Sequence, residues 1–208
     1  MNDKTAAVKY VVGLGNPGRR YRDTRHNVGF RVLGVLRRRW DFGRARTKFH
    51  ARVWSGRIGA AAVTLMAPET YMNESGLSAG EMVRFHKADP SGVLVVLDDL
   101  ALPVGRLRAR AGGSAGGHKG LADVLAALGT DAVPRLRVGI GAPPEGVDAT
   151  RYVLSVFDDA ERTLMSEALA RAADAVADWV GEGITSVMDR YNPDGADAAR
   201  AQRDGRER

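Results

Sequence analysis

The 208-residue chain contains no cysteine, which excludes disulfides, thiolate nucleophiles and cysteine-ligated zinc together. Its four histidines, His26, His50, His86 and His118, stand too far apart in sequence to form a local ligand pair such as H-E-x-x-H. No metal site is therefore expected. Aromatic residues make up only 6% of the chain, too few to mark out a base-stacking platform. No apolar run approaches the ~20 residues of a membrane span, and the opening MNDKTAAVKY lacks the apolar core of a signal peptide. A cytoplasmic protein without a membrane partner is the expectation. There is also no internal repeat and no low-complexity linker, so the 44% hydrophobic content predicts one core in one domain, residues 1–191. The remaining stretch, 192–208, is dense in Pro, Gly and charge and is expected to be a disordered tail.

What is abundant is positive charge, and it is unevenly placed. Between Arg19 and Arg57 there are thirteen Lys and Arg residues against Asp23 and Asp41, whereas residues 144–182 lean acidic. A second basic island, Arg106, Arg108, Arg110 and Lys119, has no acid among its members. Clustered cations point to a polyanionic partner, because phosphate neutralisation releases counterions. A solvated basic face would look the same.

Apolar periodicity gives an α/β pattern. Strands are expected at about 8–13, 50–55, 60–66, 93–98, 105–110 and 136–141. Val28, Val32, Leu36 and Trp40 recur every four residues, predicting a helix that begins near Thr24 as N-cap. Further helices fit 75–88, 117–128, 158–181 and 183–191. The fold class expected is a single α/β domain with a twisted mixed sheet flanked by helices.

Two familiar motifs occur and neither fits its usual chemistry. VVGLGNPG carries the G-x-G-x-x-G spacing at Gly13, Gly15 and Gly18. A dinucleotide fold then wants an acid ~20 residues on, to hold the ribose. Here that place falls in Arg37-Arg38-Arg39, which leaves an NADP-binding oxidoreductase open as an alternative. GGSAG at 112–116 matches the nucleophile elbow G-x-S-x-G, but such a triad needs a histidine well after the serine and the last one is His118. Ser114 is not a triad serine.

What remains is a set of amides, acids and histidines at strand ends and loops: Asn16, His26 and Asn27, Met72 and Asn73 in PETYMNESG, Asp98 and Asp99 after VLVVL, and His118 in GGHKGL. Ligands of open α/β sheets gather outside the carboxyl ends of strands, where Asn16 and Asp98 are expected.

The blocks VVGLGNPGRRYRDTRHNVGF, PETYMNESG, DDLALPVGRLRARAGGSAGGHKGL, RLRVGIGAP and YVLSVF resemble, in order and spacing, the bacterial-type peptidyl-tRNA hydrolases. The resemblance runs over roughly residues 8–191 and implies a monomeric, cofactor-independent esterase. That activity cuts the bond between a peptide and the 3′-terminal ribose of tRNA, engaging the acceptor stem and the CCA end. It assigns His26 as the base that takes a proton from the attacking water, at a helix start where the dipole disfavours imidazolium. Asp98 is its orienting acid, and Asn16 and Asn73 hold water and peptide. Tyr21, Met72 and His118 fall at the substrate site, and Arg110 and Arg137 match residues that hold tRNA phosphate. Two positions depart from the family pattern. Ala101 stands where an acid is usual, and Lys119 replaces an Asn, so it either points to solvent or reaches the 3′-terminal phosphates. A tRNA-binding relative with weak or lost hydrolysis is the second alternative.

Overall fold

A computed structural model of the chain describes residues 8–193. Seven strands form one mixed sheet in the order β2-β3-β4-β1-β5-β7-β6. They are β1 (Lys9–Gly13), β2 (Arg46–Lys48), β3 (Ala51–Ile58), β4 (Ala61–Pro68), β5 (Val93–Asp99), β6 (Leu107–Arg110) and β7 (Arg135–Gly139). The centre of the sheet is parallel, β1 lying between β4 and β5 and β7 beyond β5. Antiparallel hairpin pairing of β2 with β3 and β3 with β4, and of β6 with β7, makes the two edges.

Six α-helices complete the fold: α1 (Val28–Arg39), α2 (Ser75–His86), α3 (Lys119–Leu128), α4 (Ala149–Val153), α5 (Asp159–Glu182) and α6 (Ile184–Tyr191). The strict alternation of the central strands divides their side chains between two layers. Val11, Leu94 and Val96 join α1 and α5 on one face. Tyr10, Val12, Val95 and Leu97 join α2 and α3 on the other. Because the chain leaves β1 for β4 on one side and later returns to β5 on the other, the loops after β1 and β5 part at a switch point.

The glycine-rich opening serves this packing. A Cβ on Gly13 would sit 2.6 Å from the Gly29 carbonyl oxygen, and one on Gly29 would sit 2.4 Å from the Leu14 amide nitrogen. The two glycines let α1 cross directly on β1, and no phosphate is needed to explain them. Gly18 opens onto a short 3-10 turn, Arg19–Tyr21, and Arg37 to Arg39 lie inside α1. The acidic ribose position of a dinucleotide site would be at the end of a second strand, so the NADP reading loses its geometry.

Four local expectations change. Thr24 does precede a 3-10 turn, Arg25–Asn27, but its hydroxyl donates backwards to the Tyr21 carbonyl at 2.8 Å and caps nothing. β2 was not expected from sequence: its Arg-Thr-Lys is exposed throughout, pairs with β3 and sets the Lys48 ammonium 3.6 Å over the Phe85 ring. The short α4 was not expected either. Asn192 and Pro193, the first residues of the expected tail, lie against the sheet edge. The Asn192 amide accepts from the Ala109 N–H at 2.7 Å and donates to the Ala109 carbonyl at 2.9 Å, occupying the open ladder of β6. The rest of the expected tail lies outside the described residues. No described helix is long and apolar enough to cross a membrane.

Candidate active site

The carboxylate of Asp98, at the end of β5, is the hub. His26 Nδ1 lies 2.9 and 3.0 Å from its two oxygens, and His118 Nε2 lies 3.0 Å from Oδ1. Its side chain is only 2% exposed, against 14% for His26 and 8% for His118. Burial by itself would raise the Asp98 carboxyl. The His118 charge and hydrogen bond, followed by the hydrogen bond and charge of His26, outweigh burial and hold it well below the usual carboxylate range. An ionised carboxylate accepts only, so both imidazoles donate to it.

The remaining ring nitrogens distinguish the two histidines. His118 is the N-cap of α3, and its Nδ1 accepts the Leu121 N–H at 3.1 Å. Both of its nitrogens are engaged. His26 has no partner on Nε2 among the described residues, so with Nδ1–H directed to Asp98 it presents a free lone pair. The three ligand-type atoms of His26, Asp98 and His118 lie within 4.8 Å of one another and could also meet at a cation. As they stand, they form a hydrogen-bonded chain.

Asn16, in the loop after β1, is fixed just as firmly. Its Oδ1 accepts the Met72 N–H at 2.9 Å, while its backbone exchanges two bonds with Asn27: N–H to Asn27 Oδ1 at 2.8 Å and carbonyl from Asn27 Nδ2 at 2.9 Å. The Asn16 NH2 has no protein acceptor among the described residues and is available to a ligand. Met72 is buried and Asn73 beside it is exposed, both on the 3-10 turn Met72–Glu74. Gly120 of α3 packs on that turn so closely that a Cβ would fall 2.3 Å from Met72 Sδ. Asn16, Met72, α3, His118, Asp98 and His26 thus form a closed circuit. Tyr21 stands apart from it, half-buried, with the Arg20 guanidinium 4.5 Å above its ring.

The basic residues expected to meet phosphate do not behave alike. Arg110 is exposed on β6. Arg137 is enclosed: its Nη1 lies 3.2 Å from Asp99 Oδ2, and its Nη2 reaches the Ala115 carbonyl at 3.5 Å. That carboxylate oxygen makes no directed hydrogen bond, so the contact with Asp99 is one of charge. Lys119 is exposed and makes no hydrogen bond or ion pair among the described residues. Ala101 is exposed at the loop after β5.

Two supports were not assigned from sequence. Arg25 pins the turn that carries His26, through a two-pronged pair with Glu161 at 2.9 and 2.6 Å and a bond to the Ile140 carbonyl at 3.1 Å. Arg135, fully buried, grips the Gly-rich loop through the Gly113 carbonyl at 2.6 Å and the Asp131 carbonyl at 3.1 Å. Both arginines look like ordinary basic residues in a basic sequence. Only the long-range partners reveal them.

The family model described as peptidyl-tRNA hydrolase matches residues 10–201. The chain belongs to the peptidyl-tRNA hydrolase family. It is 46% identical over 185 residues to the peptidyl-tRNA hydrolase of Rhodopirellula baltica, covering 89% of this chain and 97% of that one. To the peptidyl-tRNA hydrolase of Brevibacillus brevis it is 44% identical, covering 89% and 98%. Among solved structures, peptidyl-tRNA hydrolase from Acinetobacter baumannii superposes with a TM-score of 0.84 at 33% identity, over 89% of this chain and 94% of that one. The peptidyl-tRNA hydrolase family membership bears out the resemblance of the sequence blocks, the α/β fold class and the hydrolase class, and the oxidoreductase alternative has no support.

Proposed function

We propose that this enzyme hydrolyses the ester between a peptide and the 3′-terminal ribose of tRNA, with His26 as the base. The reading rests chiefly on one observation: in the chain His26–Asp98–His118, only His26 has an unengaged nitrogen. Nε2 takes a proton from water as the water oxygen bonds to the ester carbonyl carbon. The bond from that carbon to the ribose 3′ oxygen then breaks, and the proton returns to the departing 3′ hydroxyl. Asp98 keeps the His26 proton on Nδ1 and offsets the charge that develops on the ring. The Asn16 NH2 and the exposed Asn73 amide hold the water and the peptide backbone, and Met72 and Tyr21 wall the site. His118 positions Asp98 and starts α3.

Arg110 is assigned to tRNA phosphate. Arg137, engaged by Asp99 and Ala115, shapes the Gly-rich loop beside it and offers the phosphate its remaining edge. Lys119 is assigned to solvent. We further propose a cytoplasmic monomer working without metal or cofactor.

Purified protein mixed with a defined peptidyl-tRNA is expected to release free tRNA and peptide at the same rate with and without EDTA. Binding without release would identify a tRNA-binding relative. Loss of turnover in EDTA would place a metal on His26, Asp98 and His118.

A further inference from the structure

The block YVLSVF, residues 152–157, belongs to the family pattern, yet no step of the proposed chemistry uses it. In the fold it converges on one side chain, the buried Arg25. The Arg25 guanidinium lies 4.3 Å from the centre of the Tyr152 ring and 4.6 Å from that of Phe157. Ser155 accepts twice from the same residue, its carbonyl from the Arg25 N–H at 2.9 Å and its Oγ from Nε at 3.1 Å. The Ile140 carbonyl takes a bond from Nη1 at 3.1 Å and another from the Tyr152 hydroxyl at 3.0 Å. Glu161 completes the set with its two oxygens, and it is fixed in turn by the capping box it closes with Asp158 at the start of α5. All three guanidinium nitrogens are engaged.

Stability alone does not account for so complete a clasp. A buried ion pair gives up the hydration of both charges, and apolar packing often stabilises a fold as well. What the clasp adds is a fixed position, and the residue next to it is His26. The His26 ring is held by its Nδ1, at nearly equal distances of 2.9 and 3.0 Å from the two Asp98 oxygens. Such a contact fixes the nitrogen better than the direction of the ring, so a second fixed point is needed to aim Nε2. That point is the His26 backbone, on a three-residue 3-10 turn with no side-chain cap. Asn27 anchors one side of the turn to Asn16, and Arg25 anchors the other.

We propose that Arg25 is a positioning residue for hydrolysis, and that YVLSVF and Glu161 form a guanidinium receptor whose task is to aim Nε2 of His26 at the attacking water. The proposal rests on the reading of His26 as the base. Its leverage is geometric, since a displacement of about 1 Å at a catalytic group costs on the order of 10²-fold in rate. Charge alone does not suffice, because the receptor is matched to a planar fork that lysine lacks.

The test is single-turnover cleavage of peptidyl-tRNA at saturating enzyme, together with KM, for Arg25→Lys, Arg25→Ala and His26→Ala. Arg25→Lys is expected to slow the chemical step by about tenfold or more, with KM within about twofold of the parent and circular dichroism unchanged. In Arg25→Ala the receptor is left without its guanidinium, so guanidinium chloride at a concentration far below denaturing is expected to raise the rate by about tenfold, whereas sodium chloride at the same ionic strength is not. Neither the parent nor His26→Ala should respond to guanidinium. The proposal is overturned by a parent-like rate in Arg25→Lys, by a loss confined to KM, or by a folded Arg25→Ala that guanidinium does not revive. Unfolding of Arg25→Lys would make the clasp purely structural and overturn it too; if only Arg25→Ala fails to fold, Arg25→Lys decides. Parent-like rates in both His26→Ala and Arg25→Lys would remove the base from His26 and the proposal with it, while a parent-like rate in Arg25→Lys alone leaves the hydrolase reading intact.

Discussion

Three consecutive residues on one 3-10 turn do three different jobs. Arg25 ties the turn to Glu161 at the start of α5, His26 offers its free nitrogen, and Asn27 braces the backbone of Asn16. Asn16 and Asp98 stand out in the sequence because amides and acids that follow apolar strands fall at the ligand end of an α/β sheet, and His26 through the family resemblance of its block. Their supports do not, since Arg25 and Arg135 differ from the twenty-nine other lysines and arginines only in what they meet across the fold. Asp98 supports a prediction at this scale. Its folded carboxyl is held below the ordinary value, so the stabilisation it provides is complete above the unfolded Asp pKa of about 4 and is lost as pH falls below that toward the folded value. Thermal unfolding followed from pH 5 to 3 should therefore fall more steeply for the parent than for Asp98→Asn. Parallel curves would mean that the two imidazoles do not depress Asp98.

At the scale of elements, the crossing of α1 on β1 fixes where the turn with His26 arrives. Gly29 makes it possible, with the Leu14 nitrogen, the Leu14 oxygen and the Val96 oxygen at 2.4, 2.5 and 2.5 Å from any added Cβ. Replacing Gly29 with Ala sets two effects against each other. Helix propensity would gain about 1 kcal/mol, but three backbone atoms cannot move aside as a side chain can, and overpacking of this kind costs about 1–3 kcal/mol or more. Steric cost wins, so urea unfolding of Gly29→Ala should show a lower midpoint than the parent. An unchanged or higher midpoint would contradict the close crossing. The central strands and long helices were readable because both faces of β5 and one stripe of α5 are buried, which forces apolar periodicity. β2 has no buried residue and α4 spans only five, so neither leaves a periodic trace.

For the molecule as a whole, the uneven charge seen in the sequence resolves into distinct surfaces. Arg110 is exposed at the β6 edge, while Arg135 and Arg137, on neighbouring β7, turn inward to hold the Gly-rich loop. Sequence alone made Arg110 and Arg137 equivalent, because exposure is a property of the assembled sheet. Arg110→Gln should accordingly raise KM for peptidyl-tRNA and flatten its salt dependence, while single-turnover chemistry at saturation stays the same. A short ester lacking the stem should be cleaved equally by both proteins, and a matching loss on it would deny Arg110 a phosphate role. The proposed chemistry turns on the unengaged Nε2 of His26, and one measurement reaches it directly: the single-turnover rate of peptidyl-tRNA cleavage by His26→Ala at saturating enzyme. The predicted result is a rate lower by ~10² or more with tRNA binding retained. A rate close to that of the parent would contradict the account and move the base away from His26.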